Sequence, residues 1–201
     1  MYPPPHHQSE RLEHMRAVAR ACPLAVLLTA KENVPYATHL PVMLAQEEKR
    51  LIAHIDRQNP QCDTIIRGAA ATVIFKGPDT YISPSVYDTS QLPTWNYIIV
   101  HVSGVLTPID DPDLVKTSMV EMTAFLEGND PKFQLSIDDV RMERLLPYIQ
   151  TFEITDLQWE GKFKLSQDKS ITDMQRAKEA LLKETKASWH ELIHRVYTEF
   201  M

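Results

Sequence analysis

The apolar positions of this 201-residue chain change period along its length. Leu12, Met15, Val18 and Cys22 recur at helical spacing, Ser9 stands where an N-cap belongs, and Pro23 closes the run. From there to about residue 107 the pattern is mostly period two. It predicts strands at Ala25–Thr29, Tyr36–Leu44, Leu51–Ile55, Ala71–Lys76, Thr80–Ile82 and Tyr97–Thr107, with turns at Lys31-Glu32-Asn33, Glu47–Lys49 and Gly77-Pro78-Asp79. Short antiparallel strands at this spacing, with one helix inserted near Cys62–Arg67, predict a small barrel.

Helical spacing returns over residues 112–127, where Leu114, Val115, Met119, Met122 and Phe125 share a face and Gly128-Asn129 supplies the stop. A shorter helix is expected over Asp139–Leu146. Phe152–Trp159 reads as a strand that Gly161 should break. Thr172 to Phe200 reads as one long helix capped by Thr172, with Ala177, Leu181, Trp189, Leu192, Val196 and Phe200 as its apolar stripe. The expected fold is mainly β with flanking helices and a long C-terminal helix.

Composition narrows the function classes. With 43% hydrophobic residues, a chain of this length buries roughly 70% of its unfolded surface without needing staples. Cys22 and Cys62 form no CxxC pair, so neither a disulfide scaffold nor a zinc ribbon is supported, and both read as reduced thiols. The five glycines are widely spaced, and the nearest two, Gly68 and Gly77, are nine positions apart. Dinucleotide and P-loop phosphate cradles need clustered glycines, so any phosphate must be held by side chains. The net charge is −6, and the excess acid sits in the second half. Such a surface repels nucleic-acid backbones at long range. The longest apolar run, around Leu24 to Ala30, is too short for a bilayer, and the start MYPPPHHQ lacks a leader's basic and apolar regions, so a cytoplasmic protein is expected.

Five segments carry more polar and aromatic chemistry than a strand or turn requires. They are Ala37–Pro41 (ATHLP), His54–Gln61 (HIDRQNPQ), Gly77–Tyr87 (GPDTYISPSVY), Pro93–Tyr97 (PTWNY) and Glu160–Gln167 (EGKFKLSQ). In these motifs and their order the chain resembles the PaiB-type FMN-binding negative transcriptional regulators, within the FMN-binding split-barrel group. The resemblance covers most of residues 1–170 and is less diagnostic beyond. It implies a homodimeric split β-barrel over 1–170 with FMN in a groove at the subunit interface. Residues 171–201 would be a C-terminal helix packed on the barrel or on the dimer partner.

The resemblance also implies a cofactor set. Arg57 suits a bidentate phosphate contact, with Lys162 or Lys164 adding a point charge, the two lysines being expected on opposite faces so that at most one reaches a given ligand, although Arg57 equally suits an exposed ion pair with Asp56 or Asp63. Thr38 and His39 are placed near the ring or ribityl chain, or simply end a strand. Asn59, Ser83, Thr94 and Gln167 are further donors or acceptors. Trp95 and Tyr81 would wall the ring, from either subunit, or Trp95 serves as interface core.

One motif stands outside this scheme. His190-Glu191-Leu192-Ile193-His194 matches the zinc-protease pattern HExxH, yet too little chain follows for a downstream ligand, and a packing helix with flanking histidines is the simpler account. Three functions compete at this point: a flavin-binding homodimeric repressor, an FMN-dependent oxidoreductase on a small molecule, and a haem-binding or haem-degrading split barrel. No segment reads as a basic DNA-reading helix, so DNA binding rests on the resemblance alone.

Overall fold

A computed structural model describes residues 4–198, which form seven strands and five α-helices. They divide into two compact units, one built from Pro23–Val73 with Ser103–Gln158, the other from the stretch up to Cys22, Ile74–Val102 and the chain from Trp159 onward. Strands β5 (Ala70–Ile82), β6 (Thr94–Ile109) and β7 (Ile149–Lys164) each contribute to both.

The first unit is a meander. Strands β2 (Leu24–Lys31) and β3 (Val34–Leu44) form a hairpin in register Lys31↔Val34 and Leu27↔Thr38. Glu32 and Asn33 at its tip have φ of 52° and 64°, the left-handed pair that a two-residue turn needs to match strand twist. Strand β4 (Leu51–Asp56) pairs antiparallel with β3 on one side and with the first half of β7 on the other. Leu27, Leu40, Val42, Leu51, Ala53, Phe152 and Ile154 point inward and are buried. Gly104 on β6 is obligatory, because a Cβ there would lie 2.4 Å from the Thr155 carbonyl oxygen. Helix α2 (Pro112–Glu127) starts where the Asp111 carboxylate accepts from the Asp113 and Leu114 amides. It lays Met122 and Phe125 on Met43, Ala45 and Ile52. Helix α3 (Val140–Leu145), capped by Asp139, follows.

The second unit holds the two-residue strand β1 (Gln8–Ser9), helix α1 (Leu12–Ala21), the remaining parts of β5, β6 and β7, and helices α4 (Ile171–Glu184) and α5 (His190–Tyr197). Phe75, Ile82, Ile98, Val100, Phe163 and Leu165 fill its core, with Tyr87 and Ala177 packed on Ile82.

Several expected boundaries move. Ser9 caps no helix; it pairs with Gly161, and α1 begins after Arg11 without a side-chain cap. Gly161 does not break β7: it pairs with Ser9, and a Cβ there would make tight 3.0 Å contacts with Ser9 Cβ and the Met15 side chain. Gly77-Pro78-Asp79 makes no turn either, and the two short strands expected there are one, β5. The helix near Cys62–Arg67 is a 3-10 turn over Pro60–Thr64, capped by Asn59.

The long C-terminal helix is two short ones. Ser170, not Thr172, caps α4 by accepting from the Asp173 amide. The helix stops at Glu184, where Thr185 turns extended, and His190 Nε2 donates to the Leu182 carbonyl at 3.0 Å, which satisfies one of the last orphan acceptors. Breaking there lets α5 fold back on α4 and α1, burying Leu192, Ile193, Val196 and Tyr197. Phe200 lies outside the described residues. No described helix is long and apolar enough to cross a membrane.

Candidate functional site

Alternation on β6 builds the site. Asn96, Ile98, Val100 and Val102 face inward and are fully buried, so Trp95, Tyr97, Ile99 and His101 fall on the opposite face. Lys76 and Asp79 of β5 and Lys162 of β7 join this row to line an open groove of about 480 Å³. Its volume and mixed aromatic and cationic lining suit a planar, partly polar ligand.

Each wall is fixed by a specific contact. Trp95, half exposed, donates from Nε1 to Asp79 Oδ1 at 3.0 Å, and Asp79 also pairs with Lys76 at 2.7 Å. The Tyr81 ring lies 6.1 Å from Trp95 at 57°, a tilted aromatic pair. Lys162 Nζ sits 5.6 Å above the Tyr97 ring, so its charge rests on an aromatic face. Burial holds the His101 imidazole below its ordinary range, which keeps it neutral at pH 7, with Glu160 opposing that shift.

Other expected site residues lie in the same unit with their side chains engaged. Lys164 is not on the opposite face from Lys162: two residues apart on β7 they share a face, because strand side chains repeat every second residue, and Lys164 donates to Thr94 Oγ1 at 2.6 Å. The Gln167 carboxamide accepts from the Leu165 amide and donates to the Phe163 carbonyl, holding the turn after β7. Ser83 caps the short 3-10 turn Pro84–Val86.

Four of the expected residues belong to the other unit. Asn59 Nδ2 donates to Thr38 Oγ1 at 3.0 Å, while its Oδ1 accepts from the Gln61 amide. Gln61 is buried and donates to the Leu27 carbonyl and Thr29 Oγ1, and Thr29 meets Thr64 at 2.6 Å. Thr38 and Asn59 thus belong to a hydrogen-bonded brace that seats the 3-10 turn against the β2–β3 hairpin. Arg57 is partly exposed; its Nε donates to the Ile149 carbonyl at 3.1 Å, and one terminal nitrogen stands 3.9 Å from Asp110, not from Asp56 or Asp63. That loose pair leaves guanidinium N–H groups available for an anion. His39 is exposed on β3.

The HExxH helix carries a different role. His190 closes α4, Glu191 pairs with Arg195 at 2.9 Å, and among the described residues no group of three or more His, Cys, Asp or Glu is placed to hold a metal. Lys76, Asp79, Ile99 and His101 were not singled out as cofactor residues from the sequence. The alternation through Tyr97–Thr107 carried the signal for Ile99 and His101, and Asp79 lay inside the Gly77–Tyr87 motif without being assigned a role; nothing local marked Lys76.

Comparisons with known proteins bear on this groove. The model of the family described as "Putative FMN-binding domain" matches residues 1–155. The Bacillus subtilis "Protease synthase and sporulation protein PAI 2" is 27% identical over 187 residues, covering 92% of this chain and 90% of that protein. Among solved structures, an FAD- and haem-binding protein from Mycobacterium smegmatis superposes with a TM-score of 0.62 at 18% identity, over 79% of this chain and 73% of its own. The flavocytochrome Anf3 from Azotobacter vinelandii gives 0.58 at 16%, over 78% and 69%. By fold these are split barrels, and by its family match the chain belongs to the PaiB-type FMN-binding proteins.

Proposed function

We propose that this chain is a flavin-binding regulator of the PaiB type that acts as a homodimer, with FMN as its cofactor. The observation that carries the reading is the groove at Trp95. An indole locked by Asp79, a second ring at Tyr97 and a lysine over that ring form a pre-organised wall for a flat, electron-poor heterocycle. FMN, when bound, supplies reversible redox chemistry. Trp95 and Tyr81 cover the ring and Lys162 offers a cation to its polar edge. Arg57, in the other unit, is by itself suited to a phosphate through its uncommitted guanidinium N–H groups. Thr38 and Asn59 hold the segment that carries Arg57.

The homodimer reading rests on half-exposed apolar side chains. Trp95 and Tyr81 are 50% and 52% exposed in one unit, and Leu24 and Val34 are 65% and 53% exposed in the other. The adjoining Tyr81 and Trp95 rings form the contiguous part of this surface, which a second copy of the chain would cover. Direct DNA contact has no support in the charge pattern, so repression through a partner or through the redox state of the dimer is the favoured form.

A second reading draws on His101. A neutral imidazole on the groove floor is a proton donor or acceptor within the site, which suits an oxidoreductase that reprotonates a reduced product.

The test is the visible absorption spectrum of the purified chain with added FMN, carried through gel filtration beside a size standard, with haemin in a parallel sample. A two-banded flavin spectrum co-eluting at dimer size supports the proposal. Retention of haemin but not FMN, or elution as a flavin-free monomer, overturns it. Bleaching by reduced nicotinamide and turnover with oxygen would favour the enzyme reading over the regulator.

A further inference from the structure

Beside the groove lies a second cavity, of about 370 Å³, that the flavin ring does not account for. It is lined by His7, the segment Gln91–Thr94, Lys164 at the end of β7, and Ser166, Asp168 and Lys169 from the turn between β7 and α4. All of these belong to one unit. Its lining is mainly polar, and two ammonium groups reach it from separate positions.

The donors are unequally occupied. Lys164 is held by a neutral partner, the Thr94 hydroxyl, so its charge is not cancelled by that bond. Thr94 accepts from the lysine and therefore keeps its own O–H for another acceptor. Lys169 pairs with Asp168 at 2.9 Å, the one carboxylate in the lining, which leaves the set with a net positive charge. His7 is only 7% exposed, yet its Nδ1 has no hydrogen-bond partner among the described residues. A buried imidazole nitrogen without a partner is costly unless something in the cavity meets it. Ser166 shapes the floor: its backbone is left-handed at φ 62°, and its hydroxyl is tied to Tyr87 at 2.8 Å and to Asn96 at 3.1 Å. Helix α4 starts just after Lys169, and its positive end adds to the same field.

We infer that this cavity binds a phosphate group, with Lys164 and Lys169 supplying charge and the Thr94 hydroxyl and His7 Nδ1 supplying directed hydrogen bonds. A tetrahedral dianion has enough acceptor oxygens for two ammoniums, the Thr94 hydroxyl and a neutral His7 imidazole that carries its proton on Nδ1, whereas a carboxylate has fewer sites for such a set. Because Thr94 adjoins Trp95 and Lys164 follows Lys162 on the same strand face, the phosphate belongs either to the end of a flavin seated in the groove or to a separate phosphorylated ligand.

Calorimetric titration of inorganic phosphate into the full chain, at constant ionic strength against chloride, tests the assignment without any flavin. Lys164→Ala should weaken phosphate binding by roughly tenfold or more, the loss typical of one charge-assisted contact, while Lys164→Arg retains most of it. Lys169→Ala gives a second variant should the first misfold, and the exposed Lys132→Ala, in the other unit, should change nothing. Binding no tighter than chloride, or an equal loss in the Lys132 and Lys164 variants, overturns the assignment. Repeating the titration with FMN or riboflavin present separates the sources. Displacement by FMN alone assigns the cavity to the flavin phosphate, whereas phosphate binding beside FMN assigns it to a second ligand. Failure of flavin to bind would sink the proposed function but leave the phosphate result standing.

Discussion

Acid should destabilise this fold through His54. The side chain projects from β4 onto α2, where its Nε2 lies 2.9 Å from Ser118 Oγ. Ser118 donates its own hydrogen to the Val115 carbonyl, so the hydroxyl accepts from the imidazole, which is therefore protonated on Nε2. Burial pulls the His54 pKa from 6.5 down to about 4. Unfolding restores the higher value, so between these two pH values the unfolded chain binds more protons and acidification favours it. Stability from this group is intact at neutral pH and is lost as pH falls through 6.5 towards 4. Linkage gives a loss of about 2 kcal/mol at pH 5 and about 3 kcal/mol at pH 4. Urea unfolding followed by circular dichroism at about pH 7, 6, 5 and 4 measures it, with His54→Gln as the reference that keeps a donor for Ser118 but cannot titrate. Burial also lowers His7 and His101, so the wild type carries their contributions too, and the difference between the two pH profiles isolates His54. Parallel profiles for wild type and variant would refute the reasoning.

Further outcomes follow from the same geometry. Arg57→Ala should weaken FMN much more than riboflavin in fluorescence titrations, since only FMN carries a phosphate; equal weakening would remove Arg57 as a phosphate contact and leave the Lys164 cavity as the alternative. Trp95→Ala should lower flavin affinity by roughly tenfold through lost stacking and contact area, with little change in urea midpoint because the ring is half exposed; unchanged affinity would move the ring elsewhere. Gly104→Ala should cost about 3 kcal/mol or more in unfolding free energy, because its Cβ meets backbone that cannot yield, and a wild-type midpoint would show that the strands can separate. Added zinc should leave the melting temperature unchanged, since His190 is engaged with the Leu182 carbonyl; a stoichiometric zinc-dependent rise would contradict that role.

Much of the architecture was legible in local pattern. Period-two runs located β2, β3, β4 and β6, the Glu32-Asn33 pair marked a hairpin tip, and the 112–127 periodicity with Gly128 bounded α2 closely. These succeed because each depends on neighbours within a few residues. Motif order identified the family, and the comparisons agree.

What escaped the local reading has one physical cause. Gly161 and Gly77 look like breakers in isolation, yet partners distant in sequence, Ser9 and Met15 for one and Ile98 for the other, close on the bare backbone and keep each strand continuous. The C-terminal segment has helical periodicity throughout, but α5 folds back and buries Leu192, Ile193, Val196 and Tyr197 against elements distant in sequence, a gain that local periodicity does not register. The groove shows the same division. Alternation on β6 is enough to put Trp95, Tyr97, Ile99 and His101 on one face, whereas bringing Lys76, Asp79 and Lys162 against that row requires three strands separated in sequence to pair, and only the tertiary fold decides that.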